Sequence, residues 1–277
     1  MKTLKQTTDE IKKFKVQGAN QIALHGLFFL RETALLHGFG TRFKIAAQCL
    51  EKARPTAVVL HNCIKIINAS QKISTIDALI DTLRNIGEKE AMSSDKIIKK
   101  GSKIITYCHS GEAMAFIKHA WITHKKKISV IACETEPLEQ GVMTAKELAL
   151  EGIPVTLIGD NAIGFFIRQV DMAIVGADAL RKEGVVNKIG TSLLAQAAKG
   201  ATKPFYIIAN SLKIDKRRKF RIEERPASEI YRKIIHKKNM KGIRIQNPSF
   251  DITPWRYVTA VINENGILTR NQLRKLL

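Results

Sequence analysis

Short apolar segments of strand length alternate with amphipathic segments of helical length from about residue 103 onward, and this alternation restricts the possible folds more than any other feature of the chain. The apolar segments span residues 103–107, 128–132, 155–158, 172–175, 205–209 and, near the end, 258–262. Strands that alternate with helices predict a parallel sheet with helices on both faces. The fold class that we predict for this part is therefore a doubly wound, Rossmann-like α/β domain.

The first part of the chain has a different pattern, typical of helices. Apolar residues recur there at helical spacing, as in the run Ile76, Leu79, Leu83 and Ile86. A polar stretch near residues 88–96 separates the two patterns. We therefore predict a small helical N-terminal domain over residues 1–92, followed by the Rossmann-like domain over residues 93–277.

The segment from residue 171 to residue 199 predicts a strand, a turn that carries Asp178, a polar loop and a helix. Ligands of open α/β sheets bind at the carboxyl ends of the strands, where Asp178 would lie. Asn187 and Lys188 come just before or within the first helical turn, where free N–H groups and the helix dipole favour an anion. This combination suggests acid–base chemistry on a phosphorylated substrate. The alternatives are a turn-forming aspartate and a solvated helix start.

Cys108 follows the first predicted strand, so it should lie at the same edge of the sheet as Asp178. A thiol that precedes a helix opened by Ser110 should have a lowered pKa because of the helix N-terminus. A cysteine and an aspartate that face one pocket could transfer protons. The alternative is that Cys108 is a small buried apolar side chain, as most free cysteines are.

Two loop-to-helix transitions in the helical part could also offer backbone N–H groups to an anion. Gly18 marks a turn that leads into a helix. Arg54 precedes Pro55, so it should be non-helical, and a new helix should start after the proline. A plain turn is the alternative in both places.

Composition narrows the class of protein and its surroundings. The net charge of +21, with basic runs at residues 125–127 and 216–219, fits either anionic ligands or a lysine-rich solvated surface. Because few aromatic residues lie near these runs and no nucleic-acid-binding motif is present, we do not expect nucleic acid as a partner. Four widely spaced cysteines without a CxxC motif argue against disulfides and zinc. No signal peptide or membrane-spanning run is evident, so we expect no membrane association and a cytoplasmic location.

Several motifs resemble the archaeal ribose-1,5-bisphosphate isomerases. The motifs are RPTAVVL, TYCHSGEAM, ETEPLEQG, TAKELALEGIPV, VGADAL, NKIGTSLLAQAAK and NPSFDITPWRYV, and together they cover nearly the whole chain. These isomerases belong to a superfamily with the methylthioribose-1-phosphate isomerases and the α, β and δ subunits of translation initiation factor 2B. The GAD…NKIGT block is highly specific to that superfamily. The initiation-factor subunits generally lack the Cys–Asp pair, which this chain retains as Cys108 and Asp178.

The resemblance implies an aldose–ketose isomerase that converts ribose 1,5-bisphosphate to ribulose 1,5-bisphosphate in nucleotide (AMP) degradation. It implies that one of Cys108 and Asp178 moves a proton between C2 and C1 while the other shuttles hydroxyl protons. We expect Cys108 to be the thiolate base and Asp178 to be protonated. The implied substrate contacts are Gly18, Ala19, Arg54, Gln140, Asn187 and Lys188. Neither a cofactor nor a metal ion is implied, and a homo-oligomer, either a dimer or a hexamer, is expected.

Two residues depart from the motifs of these isomerases. The usual Arg-Gly-Ala loop has Gln17 in place of the arginine, and the usual Glu-Thr-Arg-Pro run has Glu136 in place of the arginine. Both changes remove positive charge near the expected substrate. They leave two alternatives open, a non-catalytic regulatory or binding protein like the initiation-factor subunits, and a methylthioribose-1-phosphate isomerase.

Overall fold

Five helices form the first part of the chain in the computed structural model, which describes residues 2–13, 15–230 and 242–277. They are α1 (Leu4–Lys12), α2 (Ala19–His37), α3 (Thr41–Ala53), α4 (Val58–Ser70) and α5 (Ile73–Ala91). Aliphatic side chains from different helices share one buried core, among them Leu27, Leu30, Leu50, Leu60 and Ile64. Burying each such side chain stabilises the fold by roughly 1.5–3 kcal/mol. The sequence-predicted helical part is therefore confirmed.

The remaining described residues form ten strands and six helices. The helices are α6 (Ser94–Ile97), α7 (Gly111–Ile122), α8 (Gln140–Leu150), α9 (Ile163–Phe166), α10 (Thr191–Gly200) and α11 (Arg270–Leu276). The strands are β1 (Lys103–Thr106), β2 (Ser129–Cys133), β3 (Val155–Ile158), β4 (Met172–Gly176), β5 (Ala179–Arg181), β6 (Gly184–Lys188), β7 (Phe205–Ile208), β8 (Phe250–Thr253), β9 (Ala260–Asn263) and β10 (Gly266–Leu268). All six sequence-predicted strands are present, as β1–β4, β7 and β9.

A seven-stranded sheet with the order β10–β9–β7–β4–β1–β2–β3 forms the centre of this part. Neighbouring strands are parallel except for β10, which pairs antiparallel with β9. Helices cover both faces. Ile105 packs in a cluster with Leu194 of α10, whereas its neighbour Ile104 packs in another cluster with Phe116 of α7. Because both faces are buried, the strands are apolar throughout, and the predicted doubly wound α/β class is confirmed.

A second, three-stranded antiparallel sheet, with the order β5–β6–β8, stands at the end of β4. The polar loop predicted between Asp178 and Asn187 is in fact a pair of strands, so this sheet was not predicted. Its strands are short, and Gly184, with φ of +155°, lets the chain turn back between β5 and β6. The hairpin carries Asn187 and Lys188 back towards the end of β4.

The helical part packs directly on the sheet part. Helix α5 runs along α7, where a Cβ added to Gly87 would lie 3.6 Å from the Ala115 Cβ. From α4, Asn62 Nδ2 donates to the carbonyl oxygens of Leu212 and Ile214, each at 2.8 Å. The division into residues 1–92 and 93–277 stays a prediction. No helix in the described part of the chain is both long and apolar enough to cross a membrane.

Candidate active site

Residues that follow neighbouring parallel strands meet at the carboxyl edge of the large sheet. Cys108 comes after β1, Thr135 after β2, Asp160 after β3, Asp178 after β4 and Asn210 after β7. Parallel strands end at the same edge, so the topology alone brings these residues into one row. Because β1 and β4 are adjacent, Cys108 and Asp178 are neighbours in that row.

The backbone at Cys108 is held in an uncommon conformation. Its φ is +67°, in the left-handed region that costs a residue with a Cβ about 1–3 kcal/mol. The Cys108 N–H donates to Thr135 Oγ1 (2.8 Å), and Thr144 Oγ1 donates to the Cys108 carbonyl oxygen (2.9 Å). These two threonines fix the position of the thiol just before α7, whose N-cap is Ser110. Strained backbone held by its surroundings is typical of functional sites.

The thiol of Cys108 is not activated in the way that the sequence suggested. Burial raises the pKa of Cys108 to about 11, and the negative charge of Asp178 adds to this, while the positive charge of Lys188 opposes it. The prediction of a lowered pKa is therefore wrong. The free-energy cost of burying a thiolate outweighs the stabilisation that the N-terminus of α7 could give to it. The stabilisation is weak because Cys108 lies two residues before the N-cap.

Asp178 lies in the turn between β4 and β5, and its N–H donates to the Val186 carbonyl oxygen (2.9 Å). Burial raises the pKa of the Asp178 carboxyl above its usual value, and the charges of Arg54, Lys213 and Lys188 oppose that rise. The direction of the shift agrees with the protonated form that we expected. The same Lys188 lowers the pKa of both Cys108 and Asp178, so the three side chains share one site.

Gly176, the first residue of the GAD motif, allows β4 to end close to the start of α7. A Cβ at this position would lie 2.1 Å from Ser110 Oγ and 2.5 Å from Ser110 Cβ. A glycine is therefore required where the turn of Asp178 and the turn of Cys108 approach each other. This contact explains why the motif that carries Asp178 begins with glycine.

Arg54 reaches the same site from the helical part. Its backbone is extended, with φ of −149° and ψ of 91°, and α4 begins at Val58, as predicted from Pro55. The Arg54 side chain is largely buried, and its Nε lies 3.5 Å from Glu223 Oε2. Arg217 Nη1 donates to the Pro55 carbonyl oxygen (2.8 Å) and so fixes the loop. Arg54 is the first of the charges that lower the pKa of Asp178, which places the guanidinium beside that carboxyl.

The loop of Gly18 and Ala19 is held against the carboxyl edge by the next residue, Asn20. Gly18 has φ of +83°, and α2 begins at Ala19, as predicted. Asn20 Nδ2 donates to Glu112 Oε1 (3.3 Å), and Asn20 Oδ1 accepts from Asn210 Nδ2 (3.1 Å). The start of α2 therefore lies over the end of β7 and the start of α7.

A buried ion pair lies beneath this loop. The Lys213 ammonium donates to Glu112, which also accepts from Asn210, and all three side chains are buried. Lys213 also lowers the pKa of Asp178, so it links this cluster to the site. Asn20, Glu112, Asn210 and Lys213 were not predicted as site residues from the sequence. Asn210 could have been found because it directly follows a strand, whereas the others depend on contacts across the fold.

Asn187 and Lys188 are the last two residues of β6, three residues before α10 begins. Lys188 Nζ lies 5.9 Å from the centre of the Phe250 ring, and Lys188 makes no salt bridge within the described ranges. Two of the amides that we expected to be free for an anion at the start of α10 are already in use. Gly190 N–H and Ser192 N–H donate to the Asp251 carboxylate, so the prediction is wrong for these two amides.

Gln140 begins α8 instead of lying in the loop before it. It is one turn ahead of Thr144 and so lies on the same helical face, the face that contacts Cys108. Gln140 is buried, and its Oε1 has no hydrogen-bond partner among the described residues. A buried amide oxygen without a partner, on the helical face that contacts Cys108 through Thr144, could accept a hydrogen bond from a substrate hydroxyl.

Asp160 holds the loop in which Glu136 replaces the usual arginine. Its carboxylate accepts from the N–H groups of Thr135 (2.9 Å) and Glu136 (2.8 Å) and from the Tyr107 hydroxyl (3.1 Å). A cavity of about 560 Å³ adjoins this loop, and its lining includes Glu136, Pro137, Ile189, Asn247 and Pro248. The charge change at Glu136 therefore lies at a cavity next to the site, whereas Gln17 is exposed in the loop before Gly18.

Within residues 2–13, 15–230 and 242–277, no cluster of three or more histidine, cysteine, aspartate or glutamate side chains could hold a metal ion. The groups that meet at the site are a thiol, a carboxyl, an amide and the cations Arg54 and Lys188, while Lys213, paired with Glu112, contributes its charge from beneath. These groups can bind phosphate and can move protons at a neighbouring carbon or oxygen atom.

Curated relatives agree with the resemblance in the motifs. A ribose 1,5-bisphosphate isomerase of Methanocaldococcus jannaschii is 35% identical over 291 aligned residues, which cover 97% of this chain and 92% of that protein. A putative methylthioribose-1-phosphate isomerase of Archaeoglobus fulgidus is 33% identical, with 96% of this chain and 88% of that protein covered. Both isomerase branches of the predicted superfamily are therefore similar to this chain.

A solved structure has the same fold over nearly its whole length. The crystal structure of the Pyrococcus horikoshii OT3 translation initiation factor eIF-2B matches with a TM-score of 0.85 and 28% identity, covering 99% of this chain and 98% of that chain. The sequence family that matches, over residues 15–270, is the initiation factor 2 subunit family. The resemblance inferred from the motifs is thereby confirmed, and the chain belongs to the initiation factor 2 subunit family.

Proposed function

We propose that this protein is a sugar-phosphate isomerase that converts ribose 1,5-bisphosphate to ribulose 1,5-bisphosphate. The observation that carries the proposal is that Cys108 and Asp178 follow adjacent strands. The positive charge of Lys188 acts on both side chains, and those of Arg54 and Lys213 act on Asp178. The choice of sugar is supported by the relative that is 35% identical and named ribose 1,5-bisphosphate isomerase. A role in nucleotide (AMP) degradation is part of this proposal and rests on the resemblance alone.

The reaction opens the sugar ring and moves one hydrogen from C2 to C1. As the C1–O4 bond breaks, Asp178 gives its proton to O4 and the Cys108 thiolate removes the C2 proton, which leaves an enol phosphate between C1 and C2. Cys108 then returns the proton to C1. The C2 hydroxyl gives its proton back to Asp178, and the C2 ketone forms. Both residues end in the state in which they started.

The two pKa shifts support this division of roles in different ways. The raised pKa of Asp178 shifts this carboxyl towards the protonated form, from which O4 could take a proton. The pKa of about 11 at Cys108 means that little thiolate exists at neutral pH, but that the thiolate is a strong base once formed. Lys188 is the cation that favours the thiolate. In Asp178→Asn, where no aspartate titrates, we therefore expect the residual kcat/KM to rise as the pH increases from 7 to 9, whereas a flat profile in this variant would argue against Cys108 as the base.

The test is an isomerase assay on ribose 1,5-bisphosphate with ribulose 1,5-bisphosphate as the measured product. Cys108→Ser and Asp178→Asn should each reduce kcat by about 10²–10⁴-fold, the usual contribution of a positioned acid or base. Cys49→Ser is the matched control, since it removes a thiol from α3 in the helical part and should leave turnover unchanged. Equal turnover in all variants would rule out the proposed mechanism.

A second candidate is the isomerisation of methylthioribose 1-phosphate, favoured by the relative with that putative name and by the lost positive charge at Gln17 and Glu136. The same chemistry then acts on a sugar with one phosphate. Turnover of methylthioribose 1-phosphate but not of the bisphosphate would select this candidate. A folded protein that turns over neither sugar would favour a regulatory or binding role instead.

A further inference from the structure

The start of α10 is held by a carboxylate that is distant in sequence. Asp251 Oδ2 accepts from Gly190 N–H (2.8 Å), and both carboxylate oxygens lie 3.1 Å from Ser192 N. A helix is usually capped by a side chain of its own N-cap residue. Here the N-cap is Gly190, which has no side chain, so Asp251 on β8 supplies the cap from outside the helix.

The same short loop determines where Asn187 and Lys188 lie. Strand β8 pairs with β6 so that Asp251 is opposite Asn187 and Phe250 is opposite Lys188. Asn187 Nδ2 donates to Thr191 Oγ1 (3.0 Å), and Thr191 Oγ1 donates to the Lys188 carbonyl oxygen (2.6 Å). Any shift of the first turn of α10 is therefore transmitted to both residues at the end of β6.

The loop also touches the turn of Cys108. Gly190 has φ of +100°, and a Cβ at this position would lie 2.1 Å from the hydroxyl oxygen of Tyr107, the residue before Cys108. The Asp251 carboxylate therefore acts on a loop that is in contact with two parts of the site, Lys188 on one side and the Tyr107–Cys108 turn on the other.

We propose that Asp251 is a positioning residue for anion binding: by holding the Gly190 and Ser192 amides, it fixes Asn187 and Lys188 where they bind the phosphate of the substrate. This inference rests on the proposed function, because it takes Asn187 and Lys188 as phosphate contacts. Asp251 itself touches no substrate. Its cap turns the N-terminus of α10 into a fixed support for Lys188 instead of an open anion site.

The cap depends on the charge of Asp251. Burial raises the pKa of Asp251 to about 6, although the Ser192 and Gly190 amides oppose this. The charged groups on the elements around it include Lys188 on β6, Lys199 in the last turn of α10 and Arg256, which stacks on the Tyr257 ring in the turn that packs against α10. Below pH 6 the carboxyl becomes protonated and accepts hydrogen bonds less strongly. Anion binding should therefore weaken as the pH falls from 7 to 5.

The test compares Asp251→Asn with the wild-type protein, using inorganic sulfate as the probe because it stays a dianion over this pH range. Calorimetry should show sulfate binding at least about tenfold weaker in the variant at pH 7.5, the size expected for lost hydrogen bonds to a charged group. The wild-type protein should lose affinity between pH 7 and 5, and the variant should lack this step. For ribose 1,5-bisphosphate the variant should change KM more than kcat.

Asp171→Asn is the matched control. Asp171 Oδ2 also accepts from a backbone amide, that of Lys103 at 2.7 Å, but at the opposite edge of the sheet. This variant should keep wild-type sulfate binding and its pH step. If Asp251→Asn binds sulfate like the wild-type protein, with the same pH step, the proposal is wrong.

A second measurement separates this inference from the proposed function. Hydrogen exchange of the segment 187–193 at pH 7.5 should be faster in Asp251→Asn than in the wild-type protein, and unchanged in Asp171→Asn. If sulfate binding and exchange behave as expected but no sugar phosphate is turned over, the isomerase proposal fails while the role of Asp251 stands. Unchanged exchange in Asp251→Asn would overturn the positioning role regardless of activity.

Discussion

At the scale of single residues, the chemistry of Cys108 depends on the balance between burial and one lysine. Burial raises the pKa of the thiol to about 11, and Lys188 opposes that rise. The alkylation rate of Cys108 should therefore increase about tenfold for each pH unit between pH 7 and 10, because the thiolate fraction does so below the pKa. Peptide-resolved mass spectrometry after iodoacetamide treatment measures this rate without any substrate.

A matched variant isolates the contribution of the lysine. Lys188→Met removes the opposing charge, so the pKa of Cys108 should rise further and alkylation at pH 9 should become slower. Lys203→Met, which removes a lysine before β7 at the other edge of the sheet, should leave the rate unchanged. A wild-type rate that levels off below pH 8 would mean that the thiolate is already formed near neutral pH.

Glu90 presents a second case of a carboxyl in an unfavourable environment. It lies in the last turn of α5, its side chain is inaccessible to solvent, and neither carboxyl oxygen has a hydrogen-bond partner among the described residues. Burial, followed by the charge of Glu112, raises the pKa of Glu90 to about 10, although Lys213 opposes the rise. The folded protein therefore holds a proton that an unfolded chain would release at neutral pH.

Glu90→Gln should make the protein more stable at pH 8. Between the ordinary pKa of 4.5 and the folded value of about 10, the folded wild-type protein binds one more proton than the unfolded chain, so its free energy of unfolding falls as the pH rises. The slope is at most about 1.4 kcal/mol per pH unit. Glutamine does not titrate, and the advantage of the variant should grow with pH in urea denaturation.

The exposed Glu88, two residues earlier on α5, provides the control for this prediction. Glu88→Gln makes the same substitution on the same helix at an exposed position, so it relieves no burial and should change stability little at any pH. A difference between Glu90→Gln and the wild-type protein that stays constant from pH 5 to pH 9 would show that Glu90 has an ordinary pKa.

At the scale of helices and strands, the elements that can be predicted from the sequence are those whose signals lie within a few neighbouring residues. The strand, turn and helix around Asp178 and the extended residue before Pro55 are visible in residue order alone, because periodicity and proline geometry act within a few residues. The sheet of β5, β6 and β8 was missed because β8 is more than 60 residues after β6 in the chain, and no local pattern indicates that the two strands pair. The occupied amides at α10 were missed for the same reason, since Asp251 is on β8.

The contact between β4 and α7 gives a prediction at this scale. Gly176→Ala should destabilise the protein by about 1–3 kcal/mol, the usual cost of overpacking, because the new Cβ would overlap the Ser110 side chain. It should also reduce turnover, since the turns of Cys108 and Asp178 would be forced apart. Urea denaturation measures the first effect and the isomerase assay the second.

Gly164→Ala is the control for that substitution. Gly164 lies in α9, is exposed and has nothing within 4 Å of an added Cβ, so stability should be unchanged or slightly higher. If both alanine variants were equally stable, the close approach of Ser110 to β4 would not be a constraint on the fold.

At the scale of the whole molecule, the net charge of +21 overstates the positive charge that a ligand meets, because some of the basic side chains are paired within the fold. Within the two basic runs, Lys126 pairs with Asp95, and Arg217 binds both Asp215 and the Pro55 carbonyl oxygen. These charges stabilise the fold and are partly neutralised. Glu136 and Glu139 give the cavity beside the site an acidic lining, whereas Glu229, which also lines it, pairs with Arg225. Local charge and net charge therefore act in opposite directions on an approaching phosphate.

The dependence of kcat/KM on ionic strength shows whether the net positive charge or the acidic lining of the cavity dominates the capture of a sugar phosphate. If the net positive charge attracts the sugar phosphate, kcat/KM should fall several-fold as the ionic strength rises from about 0.01 to 0.1 M, over which the screening length shrinks from about 30 to 10 Å. kcat should not change, because it is measured after capture. Sodium chloride and potassium glutamate should act equally at equal ionic strength, since screening does not depend on the anion, whereas chloride that competes for Lys188 would act more strongly. If kcat/KM instead rises with salt, the carboxylates at the cavity dominate the field at the entrance, and Glu136→Gln should then increase kcat/KM at low salt.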